Sequence, residues 1–146
     1  MLHGCAPTIN NSAMLYPVGL DTHFDALYGL ELCEMGEDRV TARVAVSDTV
    51  LQPIGIVHGG VYASIAEGVC SIATSVAVVG DSKLAIGLSN HTTFLRPISE
   101  GTIHAAATPL HRGRTTWLWD VRFADDGGRL CATSQVCIAV RDRKGA

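Results

Sequence analysis

The chain has 146 residues, 47% of them hydrophobic and 17% charged, with a formal net charge of −3. This length and composition suit one globular domain that buries its own core without metal or disulfide staples, and they exclude a disordered chain. The acidic balance argues against a nucleic-acid binder, which would carry a basic stripe. The scarcity of charge suggests that a second subunit covers part of the apolar surface.

Residues 1–17 show little periodicity and read as an N-terminal arm. They lack the basic and apolar regions of a secretory signal, so a cytoplasmic protein is expected. Asp21 to Tyr28 reads as a short helix capped by Asp21 or Thr22 and stopped by Gly29. From Leu30 to Val50 apolar residues alternate with polar ones around the turn Gly36-Glu37-Asp38, which predicts a hairpin. Leu51 to Val57, with Pro53 and Gly55, reads as a loop. A long helix follows from Gly59 to Val79, closed by Gly80-Asp81-Ser82. Four strands are predicted next, at 83–96, 102–112, 114–124 and 129–140. Asp125 to Gly128 is a hairpin signal, and residues 141–146 form a polar tail. The order of elements makes an α+β domain spanning 1–146, one long helix against one antiparallel sheet.

The long helix has three unlike faces. Val61, Ile65, Val69, Ile72, Val76 and Val79 form a large apolar stripe for packing on the sheet. Ala63, Ala66, Cys70, Ala73 and Ala77 form a small-residue stripe suited to close approach of another backbone, such as a partner's helix. Gly60, Ser64, Glu67, Ser71 and Ser75 form a hydroxyl-rich face. Glu67 is the only formally charged side chain between Leu51 and Gly80. The helix is apolar enough to raise a membrane span, but a mid-span Glu is costly in lipid and no membrane role is expected. A carboxylate sheltered among hydroxyls is a functional candidate, set against the plainer reading of a partly exposed Glu. His58-Gly59-Gly60 opens the helix, where backbone N–H groups lack intrahelical partners and the dipole is positive. Such a site can hold an oxyanion, and glycine lets a ligand come close.

The spacing Q-x5-HGG-x7-E-x3-S in LQPIGIVHGGVYASIAEGVCSIA resembles the hotdog-fold acyl-CoA thioesterases, particularly the 4-hydroxybenzoyl-CoA and 1,4-dihydroxy-2-naphthoyl-CoA thioesterase branch. Phenylacetate-pathway (PaaI-like) relatives are more distant. The resemblance continues through FLRPISEG, TPLHRGRTTWLWDV and DDGGRLCATSQ and covers roughly Leu51 to Val140. It implies a hotdog fold, a sheet wrapped around the long helix. It also implies hydrolysis of an aryl or medium-chain acyl-CoA to free acid and CoA. By the same resemblance Glu67 is the general base or nucleophile, the Gly59 amide the oxyanion donor, and Gln52, His58 and Ser71 the supporting polar groups. Gly60 and Ser64 line the substrate site. Arg96, Arg112 and Arg114 are the candidates for CoA phosphates, each weighed against a solvated strand-end charge. The family carries a His before L-R-P in some members; here Phe94 stands there, and that role does not transfer.

The resemblance further implies a homo-oligomer, a dimer or a dimer of dimers (homotetramer), with CoA bound across a subunit interface and no cofactor. A non-catalytic acyl-CoA-binding protein on the same scaffold is the alternative, and a hydroxyacyl-thioester dehydratase fits less well. The five cysteines, Cys5, Cys33, Cys70, Cys131 and Cys137, include no CxxC pair, so a metal site lacks support and reduced thiols are expected. His3, His23, His104 and His111 read as surface or strand residues, and Cys70 as packing. Ser64 lacks a nucleophile elbow. Trp117 and Trp119 share one strand face, against a neighbour or the acyl pocket.

Overall fold

The computed structural model describes residues 23–143. Its elements follow the predicted order: helix α1 (Phe24–Leu27), strands β1 (Glu31–Met35) and β2 (Val40–Ala45), helix α2 (Gly59–Val78), then β3 (Lys83–Phe94), β4 (Thr102–Arg112), β5 (Thr116–Ala124) and β6 (Leu130–Asp142). The arm at 1–17, the proposed caps Asp21 and Thr22, His3, Cys5 and residues 144–146 lie outside the described residues. The N-cap of α1 is His23. The expected tail begins too early, because Arg141 and Asp142 belong to β6, and Arg141 Nη1 donates to the Thr115 carbonyl at 2.8 Å.

The strands form one six-stranded antiparallel sheet in the order β1-β2-β4-β5-β6-β3. Its concave face is dry. Ile103, Ala105 and Ala107 of β4, Trp119, Val121 and Phe123 of β5, and Val136 and Ile138 of β6 are all buried. Alternation along each strand puts these side chains on one face, and α2 lies across them with Ile65, Ala66, Val69, Cys70, Ile72 and Ala73 buried. Burying a large apolar side chain stabilises by about 1.5–3 kcal/mol each, so this contact carries the fold. The helix and the turn after it, Gly59–Asp81, are long and apolar enough to cross a membrane, but here they are the core that the sheet wraps.

One expectation about α2 needs correction, and one residue was overlooked. The small-residue stripe is buried in part by the chain itself: Ala66, Cys70 and Ala73 are buried against the sheet, while Ala63 is half-buried and Ala77 exposed. Thr74, absent from the three-face reading, is fully buried. It donates to the Cys70 carbonyl at 2.8 Å and accepts from Trp119 Nε1 at 3.0 Å, so the buried indole is satisfied. Cys70, Cys131 and Cys137 are free thiols, whereas Cys33 is disulfide-bonded, which departs from the expectation of five thiols. Cys70 does serve packing, and its burial pushes the thiol well above its ordinary range.

Candidate active site

Helix α2 begins where the sequence places it. His58 is the N-cap in extended conformation, and its Nδ1 accepts from the Gly60 N–H at 2.9 Å. The His58 N–H donates to the Val50 carbonyl at 2.9 Å, and Val61 N–H to the His58 carbonyl at 2.9 Å. His58 therefore orders the turn. Gly60 donates its amide to that cap, so this N–H is not open to a ligand. The Gly59 amide sits at the first helical position and has no acceptor among the described residues. An added Cβ at Gly59 would lie 2.6 Å from Phe94 Cζ. A side chain at this position would have to displace the Phe94 ring, which covers the start of the helix. Gln52 is half-buried in a tight loop in which its own N–H reaches the Ile56 carbonyl at 2.8 Å.

Two turns further on, Ser71 Oγ donates to Glu67 Oε1 at 3.1 Å, which joins two of the predicted site residues. Ser64 instead back-bonds to the Gly60 carbonyl at 2.8 Å. Glu67 leans over β3: a Cβ at Gly87 would stand 2.9 Å from Glu67 Oε1, so this glycine leaves room for the carboxylate. The expected shelter is not met within one chain. Glu67 is exposed, because β3 is the sheet edge and no strand lies beyond it among the described residues.

The arginines separate. Arg112 is committed to the β1–β2 turn, with Nη2 3.3 Å from Asp38 Oδ1 and Nη1 3.6 Å from Glu37 Oε1. Its guanidinium carbon lies 5.4 Å from the Trp117 ring centre. Register runs from Arg112 to Trp117, Ile138 and Gly87, so three ladder steps of about 4.8 Å each part Arg112 from β3. The structure therefore does not bring Arg112 to Glu67. It lines a cleft of about 420 Å³ with Trp117, Trp119 and Val76 instead. Arg114 is exposed in the turn beside it. Arg96 is exposed just past Phe94, near the start of α2. His104 is a strand residue, paired with Asp126 at 2.8 Å.

Sequence reasoning missed the flank of α1. Gly68, next to Glu67, has Asp25 Oδ1 3.0 Å from where its Cβ would be, and Tyr28 Oη donates to Asp25. Burial first, and then the charges of Asp25 and Glu67, push the Tyr28 phenol well above its usual range. The signal available was Gly68 itself, a mid-helix glycine with no turn to explain it. Tyr62 was missed too: its hydroxyl is buried with no partner among the described residues, and burial pushes it up to about 12.

The arrangement thus offers a free helix-leading amide, a carboxylate steadied by a hydroxyl, and an aromatic wall, which suits acyl transfer to water. The sequence pattern of the thioesterase superfamily matches residues 54–132. The chain belongs to that superfamily. The thioesterase is 38% identical over 122 residues to a Mycobacterium tuberculosis protein carrying an esterase designation, covering 82% of this chain and 87% of that one. It is 32% identical to the proofreading thioesterase EntH of Cronobacter turicensis, covering 77% and 81% of the two chains. The crystal structure of a Haemophilus influenzae thioesterase superposes with a TM-score of 0.81 at 30% identity, over 86% of this chain and 87% of that one. The fold is the hotdog fold, and the thioesterase is a thioester hydrolase.

Proposed function

We propose that the thioesterase hydrolyses acyl-CoA, aryl or medium-chain, with Glu67 as the carboxylate that activates water or attacks the thioester carbonyl and with the Gly59 amide holding the oxyanion. The observation that carries this reading is the unpartnered Gly59 N–H on the same helix as the Ser71-bonded Glu67. Hydrolysis breaks the thioester C–S bond: the water oxygen joins the acyl carbon, giving the free acid, and a water proton goes to the sulfur, giving the CoA thiol; no cofactor enters.

Distance adds a condition. Gly59 and Glu67 are eight positions apart, about 12 Å along a helix, too far for one thioester group to touch both. A second copy removes the difficulty. Strand β3 is an open edge with Leu84, Ile86, Leu88 and Phe94 exposed at 37, 52, 56 and 57%, and a long apolar edge requires cover. Antiparallel pairing of two β3 strands about a two-fold axis between Asn90 and His91 sets Gly87 of one copy opposite Phe94 of the other. The first copy's Glu67 then meets the second copy's Gly59, and the interface supplies the missing shelter. Arg96, beside Phe94, is the arginine best placed to meet CoA phosphate; Arg114 is the next candidate, and Arg112 is already engaged.

A thiol-release assay over benzoyl-, phenylacetyl-, dihydroxynaphthoyl- and medium-chain acyl-CoA tests the reading. Wild type turns over at least one of these, and Glu67→Ala loses on the order of 10²–10⁴-fold in kcat with melting temperature preserved. Full turnover by Glu67→Ala refutes it. Tight binding without turnover across the panel identifies a non-catalytic acyl-CoA-binding protein.

A further inference from the structure

Three contacts between β3 and α2 flank or join the site residues, and the middle one has no part in the proposed chemistry. Gly87 receives Glu67, Phe94 covers Gly59, and between them Asn90 Nδ2 donates to the Ala63 carbonyl at 2.8 Å. In an α-helix the carbonyl of one residue accepts from the N–H four residues later. The Ala63 oxygen is therefore also the acceptor for the amide of Glu67. Its two lone pairs join a strand side chain to the backbone of the residue that bears the carboxylate.

Chemistry fixes the direction of the bonds behind it. A carbonyl only accepts, so Asn90 must turn its NH₂ to Ala63 and leave Oδ1 to accept. Thr92 Oγ1 donates to that oxygen at 2.8 Å. Its one hydrogen is then spent, so in the 2.7 Å contact between Thr92 Oγ1 and Ser134 Oγ the serine is the donor. Ser134 is 1% exposed on β6, directly across from Thr92. The series runs from the core to the helix with one donor and one acceptor at each link. A bulge between Gly87 and Ser89 makes this possible. Its extra residue lets Gly87 and Asn90, three apart, both face α2, where an even strand would turn one of them away.

We propose that Asn90, oriented by Thr92 and Ser134, is a positioning residue that locks the turn of α2 bearing Glu67 onto β3 and so sets the carboxylate's approach to the thioester. The inference rests on Glu67 being the acting carboxylate. Asn90 acts through Glu67, so its effect appears in kcat and vanishes when Glu67 is gone. A residue that only stabilised the fold would lower the melting temperature and leave the rate of folded protein unchanged.

The test is steady-state kinetics on a hydrolysed acyl-CoA, below each variant's melting temperature. Asn90→Ala should lose about tenfold in kcat, the scale of one hydrogen bond, with KM nearly unchanged. Thr92→Val should fall in the same direction and Thr92→Ser should restore the wild-type rate; this pair carries the test if Asn90→Ala does not fold. Adding Asn90→Ala to Glu67→Ala should cause no further loss. Wild-type kcat in Asn90→Ala, or an equal loss in the Glu67→Ala background, overturns the proposal while leaving Glu67 in place. Wild-type turnover in Glu67→Ala alone marks failure of the parent reading and removes the basis for a positioning role.

Discussion

Strands β5 and β3 flank β6 on opposite sides, and both pair with it antiparallel over most of their length. Their side chains fare differently. On the face turned to α2, β5 buries Trp119, Val121 and Phe123 at 1, 0 and 0% exposure, while Phe94 of β3, across from the buried Ala132, stands at 57%. The cause is neighbourhood rather than composition: β5 has β4 on its far side, and β3 has no strand there among the described residues. Among the described residues, one side of the sheet is thus flanked on both edges and the other is open. Glu67, Ser71, the Gly59 amide and Phe94 all lie toward the open side. A carboxylate that a second copy can cover is one that a substrate can reach first.

The largest effect that would sharpen this contrast comes from Gly59→Pro. Proline removes the Gly59 amide proton and suits the first helical position. His58, at φ −67° and ψ 134°, already has the backbone that precedes proline comfortably. Only the Phe94 ring must yield. We expect kcat to drop by about a hundredfold or more, with helical circular dichroism kept. A near-wild-type rate would remove the oxyanion role from Gly59.

A smaller effect belongs to the closed side. Thr74→Val strands the buried Trp119 Nε1–H, and we expect a loss of about 1–3 kcal/mol in denaturant unfolding, with the rate of folded protein unchanged. A selective loss of activity instead would mean that the two sides are not separable.

The smallest effect is at the β5–β6 turn. The Arg129 backbone N–H, helped by its guanidinium and opposed in part by burial, holds the Asp125 carboxyl below its usual range. A group depressed in the folded state stabilises above its unfolded value, about 3.9, and loses that contribution as pH falls through the folded value. Melting scans should therefore show wild type above Asp125→Asn at neutral pH, with the gap closing on acidification. A gap that widens in acid contradicts the assignment.

The complete side was the legible one. Alternation in β4 and β5, the turn residues at 125–128 and the long apolar run of α2 describe contacts within one chain, so pattern alone locates them. The helix opening at His58-Gly59-Gly60 and the Glu67–Ser71 pair were legible for the same local reason. Three things were not. Alternation in β3 is real, but whether its outer face meets water or protein depends on what lies beyond the edge. The alanines of α2 look alike whether they receive a partner helix or their own curved sheet. Arg112 reads like any strand-end cation until the fold brings Glu37 and Asp38 to it from about 75 residues away in sequence. Sheet curvature and the β3 bulge, which aims Asn90 at α2, leave no mark in hydrophobic spacing.

The most direct measurement is complementation between two inactive chains. Gly59→Pro and Glu67→Ala are co-expressed with different tags, and the mixed assembly is isolated and assayed for thiol release. If Glu67 of one copy works with the Gly59 amide of the other, one site of each mixed pair is intact, and about half the wild-type rate returns although each variant alone is nearly inactive. A mixed assembly no more active than its parents would contradict a site shared between two copies.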